Sequence, residues 1–167
     1  MGLLQVATTT VTTEVSALTI TGINSDDVYM VTVNNVAPAT DNVICYMRIT
    51  KSGSADTTSN YDYAYKDLKS YSSFSNSSSQ NQGRLNFGYF GTGTSETLNS
   101  IIHLYNFNSS SEYSFGITED SNGNSTYDLK GQQGGFVHTV ASASDGLSFY
   151  MSSGNIASGT LTLYKVV

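Results

Sequence analysis

The stretch SGNIASGTLTLYKVV, residues 153–167, decides how the rest of the chain is read. Gly154 marks a turn across 153–155, and Ser158-Gly159 marks a second. A strand then runs to the end, with Leu161 and Leu163 alternating against Thr160, Thr162 and Tyr164. That two-residue period belongs to a half-buried β-strand. The two glycines supply the backbone freedom that tight turns need. A final segment of this kind is expected to be tied into a sheet rather than left loose.

Outward from this strand the same pattern recurs. Apolar segments are short or alternating, and Gly, Asn, Asp or Ser bounds each one. Strands are predicted at 4–10, 14–22, 28–34, 43–50, 61–66, 84–89, 101–107, 113–118, 135–141, 147–151 and 160–166. About ten short strands with turn signals between them predict an all-β fold, a jelly-roll-like antiparallel β-sandwich. Residues 1–13 read as an extended N-terminal segment and 14–167 as a single sandwich domain. The run Ala7-Thr8-Thr9-Thr10-Val11-Thr12-Thr13 has the β-propensity to join the sheet edge of a neighbouring subunit.

The faces are legible too. Tyr29, Val31 and Val33 share one side, as do Cys45, Met47 and Ile49, then Leu85, Phe87 and Tyr89, then Leu147, Phe149 and Met151. Several strands are apolar on both faces, whereas a sandwich buries only one. The second apolar face is expected to pack on other subunits. Two low-complexity stretches, 52–60 and 70–82, read as flexible loops. Pro38 fixes its own φ, and Ala39-Thr40-Asp41-Asn42 provides turn chemistry before the strand at Val43.

Composition bounds the function. A mass of 17.9 kDa implies one domain. Area scaling gives a folded surface of roughly 8,000 Å² against about 26,000 Å² unfolded, enough burial for one core. Charged residues are only 12% of the chain, so sheet burial and not ion pairing must supply stability. Net charge is −6 and the basic residues are scattered, which argues against nucleic acid. No run approaches the roughly 18 apolar residues of a membrane helix, and no basic start precedes an apolar run. Synthesis in a cytoplasm is therefore expected, with no membrane partner. Cys45 is the single cysteine and reads as a small buried hydrophobe.

Residues able to carry chemistry are few. His103 and His138 each sit mid-strand beside large apolar groups, where sheet packing explains them better than zinc or a serine triad. Gly91-Thr92-Gly93-Thr94-Ser95 is rich in backbone donors but lacks the helix and lysine of a phosphate loop. Glu119-Asp120-Ser121-Asn122-Gly123-Asn124 resembles part of a calcium loop, with Ser125 and Gly131 where that loop wants Gly and Glu. Neither a catalytic residue, a metal nor a cofactor is expected. Tyr61, Tyr63 and Tyr65 fall on one face of one strand, and Tyr71 and Phe74 follow in the next loop. These five residues are candidates for a subunit interface or a glycan platform, with ordinary sheet packing as the third reading.

Several segments resemble a family of small β-sandwich structural proteins of tailed phages, marine phages and cyanophages among them. The C-terminal SGNIASGTLTLY carries the likeness most directly. Gly22 to Tyr29 (GINSDDVY) and Val33 to Asp41 (VNNVAPATD) are similar to the family's Ile-Asp-Ser and Asn-x-x-Pro-Ala-Thr-Asp segments. Leu104 to Ser110 (LYNFNSS) and Gly146 to Ile156 (GLSFYMSSGNI) resemble two more. Lys165 stands where the family often has Gly, Phe107, followed by Asn108, stands where its Asn-Pro segment has Pro, and residues 51–95 match no segment of it. The resemblance implies a virion location and a non-enzymatic head decoration, cement or surface-appendage subunit. It also implies a homo-oligomer, a trimer by family type, contacting other virion proteins. The alternative is a carbohydrate-binding or receptor-binding module of a tail fibre, with a host-surface glycan as partner.

Overall fold

The computed structural model describes residues 2–123, 125, 126 and 128–167. These residues form an all-β sandwich of two antiparallel sheets. The larger sheet has the order β1 (Leu3–Thr10), β13 (Ile156–Val166), β3 (Tyr29–Pro38), β9 (Leu98–Tyr105), β10 (Ser114–Gly123), β11 (Leu129–His138), β6 (Tyr61–Lys69), β7 (Ser75–Gln82). The smaller sheet runs β2 (Leu18–Thr21), β12 (Gly146–Met151), β4 (Val43–Lys51), β5 (Ser54–Ala55), with β8 (Leu85–Phe90) also paired to β4. Eight strands face five, so the jelly-roll expectation is met as far as the two-layer antiparallel sandwich. The accessible surface of 7779 Å² agrees with the size-based expectation.

Two-residue alternation builds the core. Val31, Val33, Leu161 and Leu163 of the larger sheet meet Cys45, Met47, Ile49, Leu147 and Phe149 of the smaller one, all buried. The ring of Phe149 tilts against that of Phe87 at 5.8 Å between centroids. Each such apolar side chain contributes roughly 1.5–3 kcal/mol on burial. The faces expected for β3, β4, β12 and β13 are those observed.

The structure corrects five expectations. The first concerns the N-terminal segment, of which Leu3–Thr10 is engaged within its own chain instead of standing apart to reach a neighbour. β1 pairs along β13 of its own chain, from Leu3 opposite Val166 to Thr10 opposite Thr160. Hydroxyl pairs Thr8–Thr162 and Thr10–Thr160 lace the two strands. A free edge on the same molecule captures a β-prone segment without the entropy cost of association.

The second concerns Ser158-Gly159, which is not a turn. β13 continues through it with register shifts on either side of Ser158. Gly159 holds φ at 137°, a bulge conformation that a side chain resists. The turn at Gly154 is real, with φ at 72°.

Third, the polar stretch 70–82 is only partly a loop, because Ser75–Gln82 forms the edge strand β7 on β6. Its side chains have no apolar face to bury, so no period-two signal marks it; the ladder of backbone bonds makes it a strand. Fourth, within 52–60 the short β5 returns on β4, so this stretch too is ordered by pairing. Fifth, Tyr89 does not join Leu85 and Phe87 in the core. Gly88 takes φ of 87° and the pairing with β4 slips, so Phe90 is buried and Tyr89 is 55% exposed.

Candidate functional site

The tyrosine stripe points inward. β6 lies between β11 and β7, and its odd-numbered face looks toward the smaller sheet. Tyr61 is fully buried, and its hydroxyl donates to the Asp56 carbonyl at 2.8 Å and accepts the Ile49 N–H at 3.2 Å. Tyr65 is also buried, with its hydroxyl accepting the Asn86 N–H at 3.3 Å. The half-buried Tyr63 stacks on it at 4.7 Å. Burial pushes the hydroxyls of Tyr61 and Tyr65 well above the ordinary tyrosine range. Tyr61 therefore cannot touch a partner or a glycan, and the three rings do not form an exposed platform. Tyr71 and Phe74 are exposed, the latter beneath the Lys66 ammonium at 5.4 Å. The five candidates do not share one surface.

The two histidines separate. His103 lies on the outward face of β9, opposite Met30 and Ile117. His138 is buried on β11, directly opposite Ser114 of β10 and Tyr61 of β6. Its Nε2 stands 3.4 Å from Asp56 Oδ2. Burial, with help from the neighbouring Lys51 charge, lowers the imidazole pKa. Asp56 is held below the usual carboxylate range: burial opposes this, but bonds from Lys51 and Thr58 outweigh it. Serine, histidine and aspartate thus gather in one place. Ser114 and His138 are both fully buried, so a substrate has no route to them as they stand.

The donor-rich loop is self-satisfied. The Glu96 carboxylate accepts the Gly93 N–H at 3.0 Å, and Asp41 accepts the Thr92 N–H at 3.2 Å. Two carboxylates occupy the position a phosphate would need. The calcium-like run continues as strand: Asp120 and Asn122 share the inward face while Glu119 and Ser121 face out, so the oxygens are laid along an extended strand instead of being wrapped round a cation by a loop. Asn124 lies outside the described residues. Among the described residues no cluster of three or more His, Cys, Asp or Glu side chains is arranged to hold a metal.

The outer sheet faces distinguish themselves by what covers them. On the smaller sheet, Arg84 lies 4.2 Å over the Tyr46 ring and Arg48 lies 4.7 Å over Tyr150, with the two rings 5.4 Å apart. Cation–π stacking within the chain covers the second apolar side of β4 and β12. Among the described residues no such stacking covers the outer face of β9 and β10. β10 is inside out: Ser114, Gly116, Thr118, Asp120 and Asn122 face the core, while Phe115 (44% exposed) and Ile117 (47% exposed) face outward. The reason is local. Phe136 of β11 fills the inward space, and a Cβ on Gly116 would strike its ring. Ile101 and Tyr113 extend the exposed band, and Phe115 pairs across to Tyr105 and Val137. Sequence reading anticipated a second apolar face but did not locate it. The inward run of small and polar residues in β10 was the available signal.

The chain matches no protein-family model, no curated protein and no solved structure.

Proposed function

We propose that this protein is a structural subunit of a tailed-phage virion that works by oligomeric assembly through the outer face of its larger sheet. One observation carries the reading: Phe115 and Ile117 on β10 and Ile101 on β9 are exposed on the central strands of the sheet, with the exposed Tyr113 just before β10. Bands of this kind on a folded domain mark interaction surfaces. The segments resembling virion β-sandwich proteins lend independent support, since they run in order from Gly22 to Tyr164. In this role the protein is a head decoration, cement or appendage subunit, and the family type favours a trimer. No bond is made or broken; the band is removed from water on assembly, and each large apolar side chain covered contributes on the order of 1 kcal/mol.

Light scattering coupled to size exclusion tests the reading. The native chain is expected to elute as an oligomer, and the double change Phe115→Ser with Ile117→Ser to elute as a folded monomer with an unchanged circular-dichroism spectrum. The native chain should also co-sediment with purified particles. A monomer at every concentration, never recovered with particles, would overturn the proposal.

A further inference from the structure

A polar cleft opens between the larger sheet and the end of β8. Tyr65 meets Asn86 where β8 approaches β6. Beyond that contact the inward faces of β10, β11 and β6 and the end of β8 border a hollow of about 450 Å³. A second hollow of about 370 Å³ continues from it, sharing Asn42, Tyr89 and Lys130. Their size falls in the range of small-molecule sites, roughly 300–1,000 Å³.

The cleft floor is ordered but incompletely satisfied. Asp120 Oδ1 accepts the backbone N–H of Gln132 at 2.7 Å, and Gln132 Nε2 donates to Asp67 Oδ1 at 2.9 Å. Asp67 Oδ2 in turn accepts from Ser75 at 3.0 Å. This chain fixes Gln132 and both carboxyls in place. Asp120 is only 7% exposed, yet its Oδ2 has no hydrogen-bond partner among the described residues. A buried polar atom left open in this way costs free energy, which a hydroxyl that reached it through a small side-chain shift would recover.

The surroundings restrict the ligand. Burial pushes the Asp120 carboxyl up to about 7, against the opposing influence of the Gln132 N–H and the Lys130 charge. It is therefore about half protonated near neutral pH, and in the protonated form it both gives and takes a hydrogen bond. Two ammoniums line the cleft: Lys130 donates to the Tyr89 carbonyl, and Lys69 donates to Ser75 at 3.1 Å beside the Asp67 carboxylate. Glu96 and Asp41 border the adjoining hollow and repel anions. Tyr71 and Tyr89 leave exposed rings at the rim. Flat rings, a row of amides, and lysines and carboxyls of both signs side by side suit a molecule with hydroxyls on its edge, C–H groups on its face and no net charge.

We infer that this cleft binds a neutral saccharide, with Tyr89 against the sugar face and Gln132 and Asp120 on its hydroxyls. The site is distinct from the Phe115–Ile117 band, and its occupancy does not depend on assembly.

Titration of the full chain, followed by protein-observed NMR, decides the matter. The probes are glucose, galactose, mannose and N-acetylglucosamine with their disaccharides, alongside glucuronic acid, sialic acid and inorganic phosphate. At least one neutral sugar is expected to saturate at concentrations below roughly 50 mM, shifting amide signals of Gln132 and Tyr89. Tyr89→Ala, a change at an exposed ring, should weaken that binding about tenfold or more while leaving the remaining spectrum intact. Phe115→Ser should leave it unchanged. No saturation by any neutral sugar, equal binding by Tyr89→Ala, or preference for the acidic sugars or phosphate would each sink the inference. A native chain that stays monomeric at every concentration yet binds the sugar would count against the virion proposal alone.

Discussion

His138 and Tyr61 stand directly opposite one another across the β11–β6 ladder, their rings edge to face with centroids 4.9 Å apart. Around them the Asp56 carboxylate meets Lys51 at 2.7 Å and His138 at 3.4 Å. The group joins the end of β4 to the larger sheet through side chains rather than through a ladder. It explains why the two histidines of the sequence differ: His138 faces the inside of a sheet and His103 the outside.

Removing one atom tests this plug. Tyr61→Phe keeps the ring but strips both hydrogen bonds and leaves the Ile49 N–H without its hydroxyl partner. The expected loss is about 1–3 kcal/mol in urea denaturation, with an unchanged slope. A loss under about 0.5 kcal/mol would mean that the hydroxyl is not part of the structural linkage.

Stability should respond to pH through two opposed groups. Asp120 has a folded pKa of about 7, above its unfolded value, so the folded state binds more protons between those values. Its contribution is fully present below about pH 4 and declines as pH rises toward 7. His138 has a lowered folded pKa, so its contribution grows as pH rises through the window below about 6.5. Asp120→Asn removes the first trend. Its stability should therefore climb more steeply from pH 5 to 7.5 than that of the native chain, by a few kcal/mol over the range. Parallel curves from chemical denaturation would refute the buried acid.

The bulge glycine in β13 admits a sharper test. At Gly159 a side chain meets both an unfavourable φ of 137° and the Val36 backbone, whose Cα would lie 2.7 Å from the new Cβ. Gly53 has φ of 74° but nothing within 4 Å. Gly159→Ala is expected to cost about 2–4 kcal/mol and Gly53→Ala about 1 kcal/mol, read as an unequal drop in melting temperature. Equal drops would show that the close approach to Val36 is relieved by an easy shift.

Cys45 should be chemically silent. It is fully buried, and burial, with the nearby Asp120 carboxyl, raises its thiol pKa far above the ordinary range. A disulfide reagent at pH 8 is expected to label it at the rate of global unfolding, and at once in denaturant. Fast labelling of the folded chain would mean that the inter-sheet core opens locally.

How far the sequence reached can be seen strand by strand. The inward sets of β3, β4, β12 and β13 follow from alternation within a few neighbouring residues, and that signal survives because a strand's pleat is a local property. Tyr61, Tyr63 and Tyr65 were likewise correctly assigned to one face, but alternation does not say whether that face looks at solvent or at a second sheet. β7 carried no signal because its polar side chains leave only backbone pairing to define it. The slip at Gly88 exchanged Tyr89 for Phe90, and the ring of Phe136 turned Phe115 and Ile117 outward through the gap at Gly116. The same dependence on distant strands makes the Asp120 cleft, whose lining β6, β8, β10 and β11 supply together. Side-chain periodicity arises along the chain, so it is written there; which apolar face is covered and which polar atom is left open depend on elements that meet only when the sheets pack.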